Sequence, residues 1–214
     1  MNVPLQPESG ARRGRGRPRA FDREIALGVA TSLFWAKGFE ATSIADLTTA
    51  MGIQGPSLYA AFGSKEALYA EALGYYQDLN ERRVWSGFHA ASTARGAIQS
   101  FLTDSAVAFS IDEDDIPRGC MIASSTVGCA GQIELGELAR SARAATFERL
   151  RTRFQQAVEE QEMPAQTDIS DLARYVQAVQ HGMAILARDA VSRAELEGVA
   201  DIAMLGWSAR ARSE

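Results

Sequence analysis

The residues best suited to recognition chemistry lie in the run GIQGPSLYAAFGSKEALY at positions 52–69. Gln54 and Ser57 are polar residues at the start of a short helix that begins with Gly-Pro. A glutamine amide can pair bidentately with adenine in the DNA major groove, which is worth roughly 1–3 kcal/mol of discrimination between bases. Tyr59 and Lys65 lie six residues apart across the end of this helix, and both can reach phosphates beside a groove. The run therefore predicts a surface that binds duplex DNA.

The helices around this run follow a helix-turn-helix pattern. The hydroxyls of Thr42 and Ser43 can cap a two-turn helix that ends at a glycine, and Pro56 lies in the first turn of the next helix, where its missing N–H costs nothing. In this motif the second helix enters the major groove. The alternative is that Tyr59 is a core aromatic residue and Lys65 a solvated charge.

The rest of the chain is also helical in pattern, with no competing strand pattern. A first helix is predicted to begin at Asp22 and to end at Gly38, with Phe39 folded back onto its last turn. Ser64 is predicted to cap a fourth helix that extends through the eighties, and Ser192 begins a capping box with the glutamate three residues later. Further helical segments are predicted near residues 95–111, 119–130, 133–162, 168–188 and 192–210.

One longer run carries a resemblance to a known family. FEATSIADLTTAMGIQGPSLYAAFGSKEALYAEAL contains G-x-x-x-x-S-L-Y-x-x-F-x-S-K-E-x-L and resembles the DNA-binding domain of the TetR family of bacterial transcriptional regulators, over about residues 22–70. The resemblance implies an all-α fold, in which an N-terminal three-helix helix-turn-helix domain is followed by a larger helical ligand-binding and dimerisation domain. It also implies a two-fold dimer, a palindromic operator in double-stranded DNA, and a small molecule that releases the DNA. Gly55 departs from many relatives, which carry a basic or polar side chain there.

The first residues of the chain are unlike the rest in charge. Residues 1–19 hold five arginines against one glutamate, giving +4, so a net charge of −5 leaves −5 − 4 = −9 for residues 20–214. The run RRGRGRPRA contains Gly-Arg-Pro, which resembles the core of an AT-hook that follows the minor groove; the alternative is a nonspecific polycation. We expect residues 1–20 to be a flexible arm, residues 21–68 the DNA-binding domain, and residues 69–214 the ligand-binding and dimerisation domain. The predicted DNA-binding residues are Arg15, Arg17, Arg19, Thr42, Ser43, Gln54, Gly55, Pro56, Ser57, Tyr59 and Lys65, with Thr48 as a further contact from the supporting helix.

The larger domain offers residues for an effector pocket and for a dimer. Pockets between helices are mostly apolar with a few polar groups, which favours Phe101, Ser105, Phe109, Met121, Ser125, Phe147, Gln177 and His181; the alternative is that these residues belong to the core or an interface. Residues of about 168–210 are expected to form the homodimer, as the resemblance implies. The small residues that would permit close helix approach are Ala178, Gly182, Ala184, Ala187, Ala203 and Gly206. The larger residues that would supply buried area are Leu186, Ile202, Leu205 and Trp207.

Other classes of protein find little support in the sequence. The two cysteines, Cys120 and Cys129, are too few for a disulfide scaffold or a four-cysteine zinc site. They leave redox sensing open beside a structural role, and a constitutive repressor without an effector is a further alternative. No nucleophile elbow, phosphate-binding glycine loop or metal spacing of histidines is present. We therefore expect no enzyme, metal or cofactor, and a soluble cytoplasmic protein without a membrane segment.

Overall fold

The computed structural model describes residues 22–110, 119–125 and 132–210. Within these ranges every regular element is helical, which confirms the all-α fold class with a small helix-turn-helix unit before a larger helical part. None of the helices described is both long enough and apolar enough to cross a membrane. The elements are α1 (Arg23–Lys37), α2 (Ile44–Met51), α3 (Gly55–Phe62), α4 (Lys65–Asn80), a π-helical turn (Glu81–Trp85), α5 (Ser86–Ala90), α6 (Ala94–Phe109), α7 (Ile133–Glu159), α8 (Ile169–Arg188) and α9 (Arg193–Arg210).

Capping residues set the ends of the first helices. The Asp22 carboxylate accepts from two N–H groups in the first turn of α1, and Ser64 caps α4. Gly38 ends α1 with a positive φ of 80°, a conformation that glycine adopts without a steric penalty. Phe39 folds back as predicted, with its ring centroid 6.1 Å from that of Phe34.

α4 links the small unit to the larger part. In its first half Tyr69 packs edge-on against Phe34 of α1, with 5.0 Å between ring centroids. Two turns further on, Tyr76 packs in the same way against Trp35, at 4.9 Å. The predicted domain boundary after residue 68 therefore falls inside a helix that continues unbroken to Asn80.

The larger part is built around α6. This helix packs against α8, α9 and the π-helical turn, while α7 packs against α8. Phe101 and Phe109 of α6 are almost completely buried, and Trp207 of α9 reaches Phe154 of α7 with 5.1 Å between ring centroids. The core is therefore continuous across all the long helices described.

The prediction of a helix near residues 119–130 is wrong where the structure describes it. Residues 119–125 form turns, and residues 126–130 lie outside the described ranges. Gly119 has a φ of 82°, and a Cβ there would clash with the Ala184 carbonyl oxygen and lie 2.8 Å from Arg188 Cγ. This segment packs closely on α8 as turns, although its apolar residues suggested a helix.

Candidate nucleic-acid interface

The geometry of α3 is set by the turn before it and by its buried side. Gly52 ends α2 in the left-handed conformation (φ 66°, ψ 32°), which turns the chain sharply into α3. Leu47 of α2 and Leu58 of α3 both have 0% exposure, and Phe62 is buried at the end of α3. One face of α3 is therefore fixed in the core, and its other face is turned to solvent.

The residues predicted to contact bases lie on this outer face of α3. Gln54, Pro56 and Ser57 are exposed, and a Cβ at Gly55 would project into open space. Gln54 is the N-cap residue, yet its side chain makes no capping hydrogen bond, so its amide stays available to another partner. Tyr59 is 49% exposed, which contradicts the alternative that it is a core aromatic residue.

The prediction that Thr42 contacts DNA is wrong in this conformation. Thr42 has 0% exposure, and its hydroxyl donates to the Gly38 carbonyl oxygen at 2.7 Å. The hydroxyl thus stabilises the loop that follows α1. Thr48 is half-buried and donates to the Ile44 carbonyl oxygen at 2.9 Å, so it too is engaged within the protein.

Ser43 lies at the exposed N-terminus of α2 in a reciprocal capping box. Its Oγ accepts from the Asp46 N–H at 3.0 Å, while its own N–H donates to the Asp46 carboxylate at 2.9 Å. Lys37 donates to the same carboxylate at 3.0 Å. Hydrogen bonds from the Ser43 backbone and hydroxyl, then from Lys37, lower the pKa of Asp46 from its ordinary 3.8 to about 2. The network joins the start of α2 to the end of α1.

Stability should depend on pH through Asp46. Its pKa is lower in the folded protein than in the unfolded chain, so its contribution to the free energy of unfolding is fully present above about pH 4 and is lost as the pH falls through about 2. We expect Asp46→Asn to be less stable than the wild type near neutral pH, with the difference shrinking between pH 4 and 2 in thermal denaturation. Ser43→Ala, which keeps the carboxylate but removes its hydroxyl partner, should weaken this pH dependence; an unchanged difference at every pH would contradict the assignment.

Lys65 has a role that neither interpretation of the sequence included. It lies in the first turn of α4 and is half-buried. Its Nζ lies 4.2 Å from the centroid of the Phe39 ring, a cation–π contact. Lys65 remains partly exposed just after the end of α3, so a phosphate contact stays a prediction for Lys65, as it does for Tyr59.

Arg23 is a positioning residue that sequence reasoning missed. Its guanidinium donates to the Ala61 carbonyl oxygen at 3.3 Å and to both Glu71 carboxylate oxygens at 2.8 and 2.7 Å, and it lies 4.6 Å from the centroid of the Phe62 ring. These contacts fix the last turn of α3 to α1 and α4. A separation of 48 residues between Arg23 and Glu71 leaves no local pattern that could have revealed the pair.

Comparisons with known proteins agree with this geometry. The sequence profile of the bacterial regulatory proteins of the tetR family matches residues 26–72. The HTH-type transcriptional repressor ComR of Escherichia coli (strain K12) is 33% identical over 201 residues, covering 92% of this chain and 93% of ComR. The chain belongs to the TetR family. Transcription regulation by a DNA-binding helix-turn-helix domain follows from that membership.

Two further TetR-family relatives are similar over different extents. The HTH-type transcriptional repressor BdcR of Escherichia coli (strain K12) is 52% identical over 61 residues, or 28% of this chain and 31% of BdcR. A cysteine mutant of the TetR family transcriptional regulator CifR, complexed with 26-bp double-strand operator DNA, is 35% identical and has a TM-score of 0.83. The likeness to CifR covers 90% of this chain and all of the CifR chain, so it includes the larger helical part.

The residues predicted to bind an effector do not lie together in one pocket of this TetR-family fold. Phe101, Phe109 and Ser105 lie in the packed core, and the Ser105 Oγ has no hydrogen-bond partner among the described residues. Met121 and Ser125 line one cleft between α1 and α8. These positions leave the effector contacts a prediction.

The other three predicted effector residues lie along α7 and α8. Phe147 is half-buried, with the Arg174 guanidinium 3.6 Å from its ring centroid. Gln177 is buried and donates to the Arg143 carbonyl oxygen at 2.7 Å. Burial, and then the nearby Arg143 guanidinium, lower the pKa of His181. Gln177 therefore has the contacts of a structural residue, while His181 favours its neutral form.

Some predicted sites fall outside the described residues. Arg15, Arg17 and Arg19 are among them, and so is Cys129. Cys120 is buried, and burial raises the pKa of its thiol. Among the residues that the structure does describe, no group of three or more His, Cys, Asp or Glu side chains is placed to hold a metal ion.

Proposed function

We propose that this chain is a repressor that binds a palindromic operator as a homodimer and is released by a small molecule. The main support for a DNA-binding surface is that α3 has one buried face and one exposed face. Leu58 and Phe62 anchor one face in the core, while Gln54, Ser57 and Tyr59 lie on the exposed face. The similarity to the transcriptional repressors ComR and BdcR supports a repressor. The similarity to the CifR mutant, which is complexed with operator DNA, supports operator binding.

The proposed homodimer rests on an apolar surface along α8 and α9, which we call the α8–α9 face. Ile202 and Leu205 are 70% and 71% exposed, and Tyr175, Ile185 and Leu186 are also exposed to a large extent. Adjacent large apolar side chains in water mark a surface that another protein covers. A second copy of this chain is the occupant that we propose, because a two-fold dimer would present two copies of α3, as a palindromic operator requires.

The small residues predicted for this interface divide into two groups. Ala178, Gly182 and Gly206 are exposed and remain available for close approach of a partner helix. The predictions for Ala184, Ala187, Ala203 and Trp207 are wrong, because these residues are buried inside the protomer at 4% exposure or less. Their side chains pack α8 and α9 against α6 and α7, which gives the partner a rigid surface.

The dimer sets the form of the operator. Two copies of α3 in successive major grooves would lie one helical turn apart, roughly 34–36 Å, so the two half-sites should be related by a palindrome. An effector would act by binding better to a conformation with another spacing, and only its differential affinity can shift the population. A constitutive repressor would lack such a ligand. The buried, hard-to-ionise Cys120 thiol gives the redox-responsive alternative little support, since the thiolate is the reactive form.

Two substitutions test the proposed docking of α3. Gln54→Ala should change the preference among DNA sequences, because it removes the amide that we propose reads a base edge. Lys65→Ala should weaken binding to all sequences and reduce the slope of log affinity against log salt by about 1. Selection of bound fragments from random DNA, followed by salt titrations on the selected operator, measures both effects. If neither substitution changes the selected sequences or the affinity, α3 does not bind DNA as proposed.

The arginine arm, residues 1–20, should add affinity that depends on salt. If its five arginines each displace counterions, they steepen the salt slope by about 4.5, equivalent to roughly 500-fold between 50 and 200 mM salt. We expect deletion of residues 1–19 to weaken operator binding and to flatten its salt dependence in fluorescence anisotropy titrations. A variant with the five arginines replaced by glutamine keeps the length as a control; an unchanged slope in both would exclude a role for the arm.

A further inference from the structure

A cleft between the helix-turn-helix unit and the larger part has the size of a small-molecule site. Its volume is about 380 Å³, within the range of about 300–1,000 Å³ that ligand pockets occupy. On one side lie the end of α1 and the loop that follows it; on the other lie residues 121–125 and the end of α8. Both halves of the molecule therefore contribute walls, and a ligand here would contact both.

Arg188 is the charged group that spans this cleft. It lies in the last turn of α8, and its Nη1 and Nη2 donate to the carbonyl oxygens of Trp35 and Ala36 at 3.2 and 2.9 Å. Those carbonyls belong to the last turn of α1, where helical hydrogen bonds run out. Among residues 22–110, 119–125 and 132–210, Arg188 has no carboxylate partner within salt-bridge distance. Within the described part of the chain, the Arg188 guanidinium thus joins α8 to α1 through neutral carbonyl groups.

The rest of the lining combines aromatic walls with hydroxyl groups. Phe39 packs edge-on against Tyr69, with 5.1 Å between ring centroids. The Tyr69 hydroxyl lies 3.0 Å from Ser125 Oγ, and Ser124 also faces the cleft. Of the two cations in the lining, Lys37 is paired with Asp46 at 3.0 Å, whereas Arg188 donates to backbone carbonyl groups; Glu40 is the carboxylate of the lining. An aromatic lining beside the guanidinium of Arg188 suits an aromatic anion.

We propose that this cleft is an effector site for small aromatic carboxylates, with Arg188 as the group that binds the carboxylate. A carboxylate is a stronger acceptor for a guanidinium than two backbone carbonyl oxygens, because its hydrogen bonds are charge-assisted and can be bidentate. A bound carboxylate therefore competes with the α1 carbonyls for Arg188. When it wins, α8 no longer holds the end of α1, and the helix-turn-helix unit can change its orientation. This mechanism rests on the proposed function, because it supplies the ligand response of a DNA-binding repressor.

Calorimetry on the full chain without DNA tests the site itself. The probe is 1-naphthoate, and its uncharged control is 1-naphthalenemethanol. We expect saturable binding of 1-naphthoate with a Kd of about 1 mM, as its 13 heavy atoms would give at an ordinary ligand efficiency. The alcohol should bind at least about tenfold more weakly. Equal binding of the two probes, or no saturable binding of 1-naphthoate, would overturn the proposal.

Three variants assign the binding to Arg188. Arg188→Gln should weaken 1-naphthoate binding at least about tenfold, whereas Arg151→Gln, which removes an arginine paired with Glu148 on α7, should leave it unchanged. Glu40→Gln should strengthen binding about twofold at low salt, because it removes the carboxylate of the cleft. Because Glu40 is an exposed loop residue, Glu40→Gln should fold normally. It therefore still tests the site if Arg188→Gln fails to fold. Equal affinities in all the variants that fold would contradict the site.

A second measurement separates this proposal from the proposed function. In anisotropy titrations, saturating 1-naphthoate should weaken operator binding by the wild type and by Arg151→Gln, and should have little effect on Arg188→Gln. Intact operator binding that 1-naphthoate does not change would overturn the release mechanism and leave the repressor proposal standing. A folded chain that binds 1-naphthoate through Arg188 but retains no DNA would contradict the proposed function instead.

Discussion

Replacing Ile202 and Leu205 together by aspartate is expected to produce a monomer that binds its operator at least about 100-fold more weakly than the wild type. Both side chains are about 70% exposed on the α8–α9 face, so the substitution leaves the protomer core intact while placing two charges in the proposed interface. Loss of the dimer makes each half-site bind independently, and linked binding of two sites commonly gains a factor of about 100 to 10,000. Sedimentation velocity and anisotropy on the same samples measure both effects.

The matched control for this variant is Ile133→Asp. Ile133 is 69% exposed at the start of α7, so it tests whether a new aspartate on any apolar surface has the same result. We expect Ile133→Asp to remain dimeric and to keep its operator affinity. If the Ile202 and Leu205 double variant is also dimeric at the concentrations of the binding assay, the proposed interface is wrong.

Leu58→Ala is expected to destabilise the helix-turn-helix unit by about 2–5 kcal/mol. Leu58 has 0% exposure, and an alanine there leaves a cavity under α3 that the surrounding residues cannot fill without moving. Operator affinity should fall with the population of the ordered unit, since only the folded unit presents α3 to DNA. Urea denaturation gives the free energy of unfolding, and hydrogen exchange resolved by peptide locates the loss.

Tyr59→Ala separates stability from recognition in the same helix. Its ring is 49% exposed, so its removal should change the free energy of unfolding by much less than Leu58→Ala while still weakening DNA binding. If Leu58→Ala unfolds no more easily than Tyr59→Ala, the buried face of α3 is assigned incorrectly.

Local patterns in the sequence were enough to predict the helix-turn-helix unit. The caps at Asp22, Ser43 and Ser64 act within one helical turn, so the residues that decide each helix start are close in sequence. Gly52 and Gly38 end helices through backbone conformations that glycine favours. The exposed position of Gln54 follows from the spacing of the buried residues on α3.

Contacts between distant segments were not predictable in the same way. Arg23 meets Glu71, and Arg188 meets the end of α1 across 152 and 153 residues, and no spacing rule links such positions. Periodicity also cannot say which of two apolar faces a helix turns inward, so it does not separate the buried Ala203 and Trp207 from the exposed Ile202 and Leu205. Residues 119–125 contain a short apolar run, yet they form turns, and Gly119 lies so close to α8 that a Cβ there would clash with it. Tertiary packing overrides the local pattern in each case.

The most direct measurement of the central claim is the protection of α3 by DNA. A cysteine introduced as Ser57→Cys on the exposed face of α3 should react with a maleimide in the free protein, and operator DNA should slow that reaction strongly. Gln155→Cys on α7, also exposed, provides the control, and mass spectrometry of the labelled peptides separates both sites from the native cysteines. We predict slower labelling at position 57 alone when the operator is bound; equal rates at position 57 with and without bound DNA would contradict the docking of α3 in the major groove.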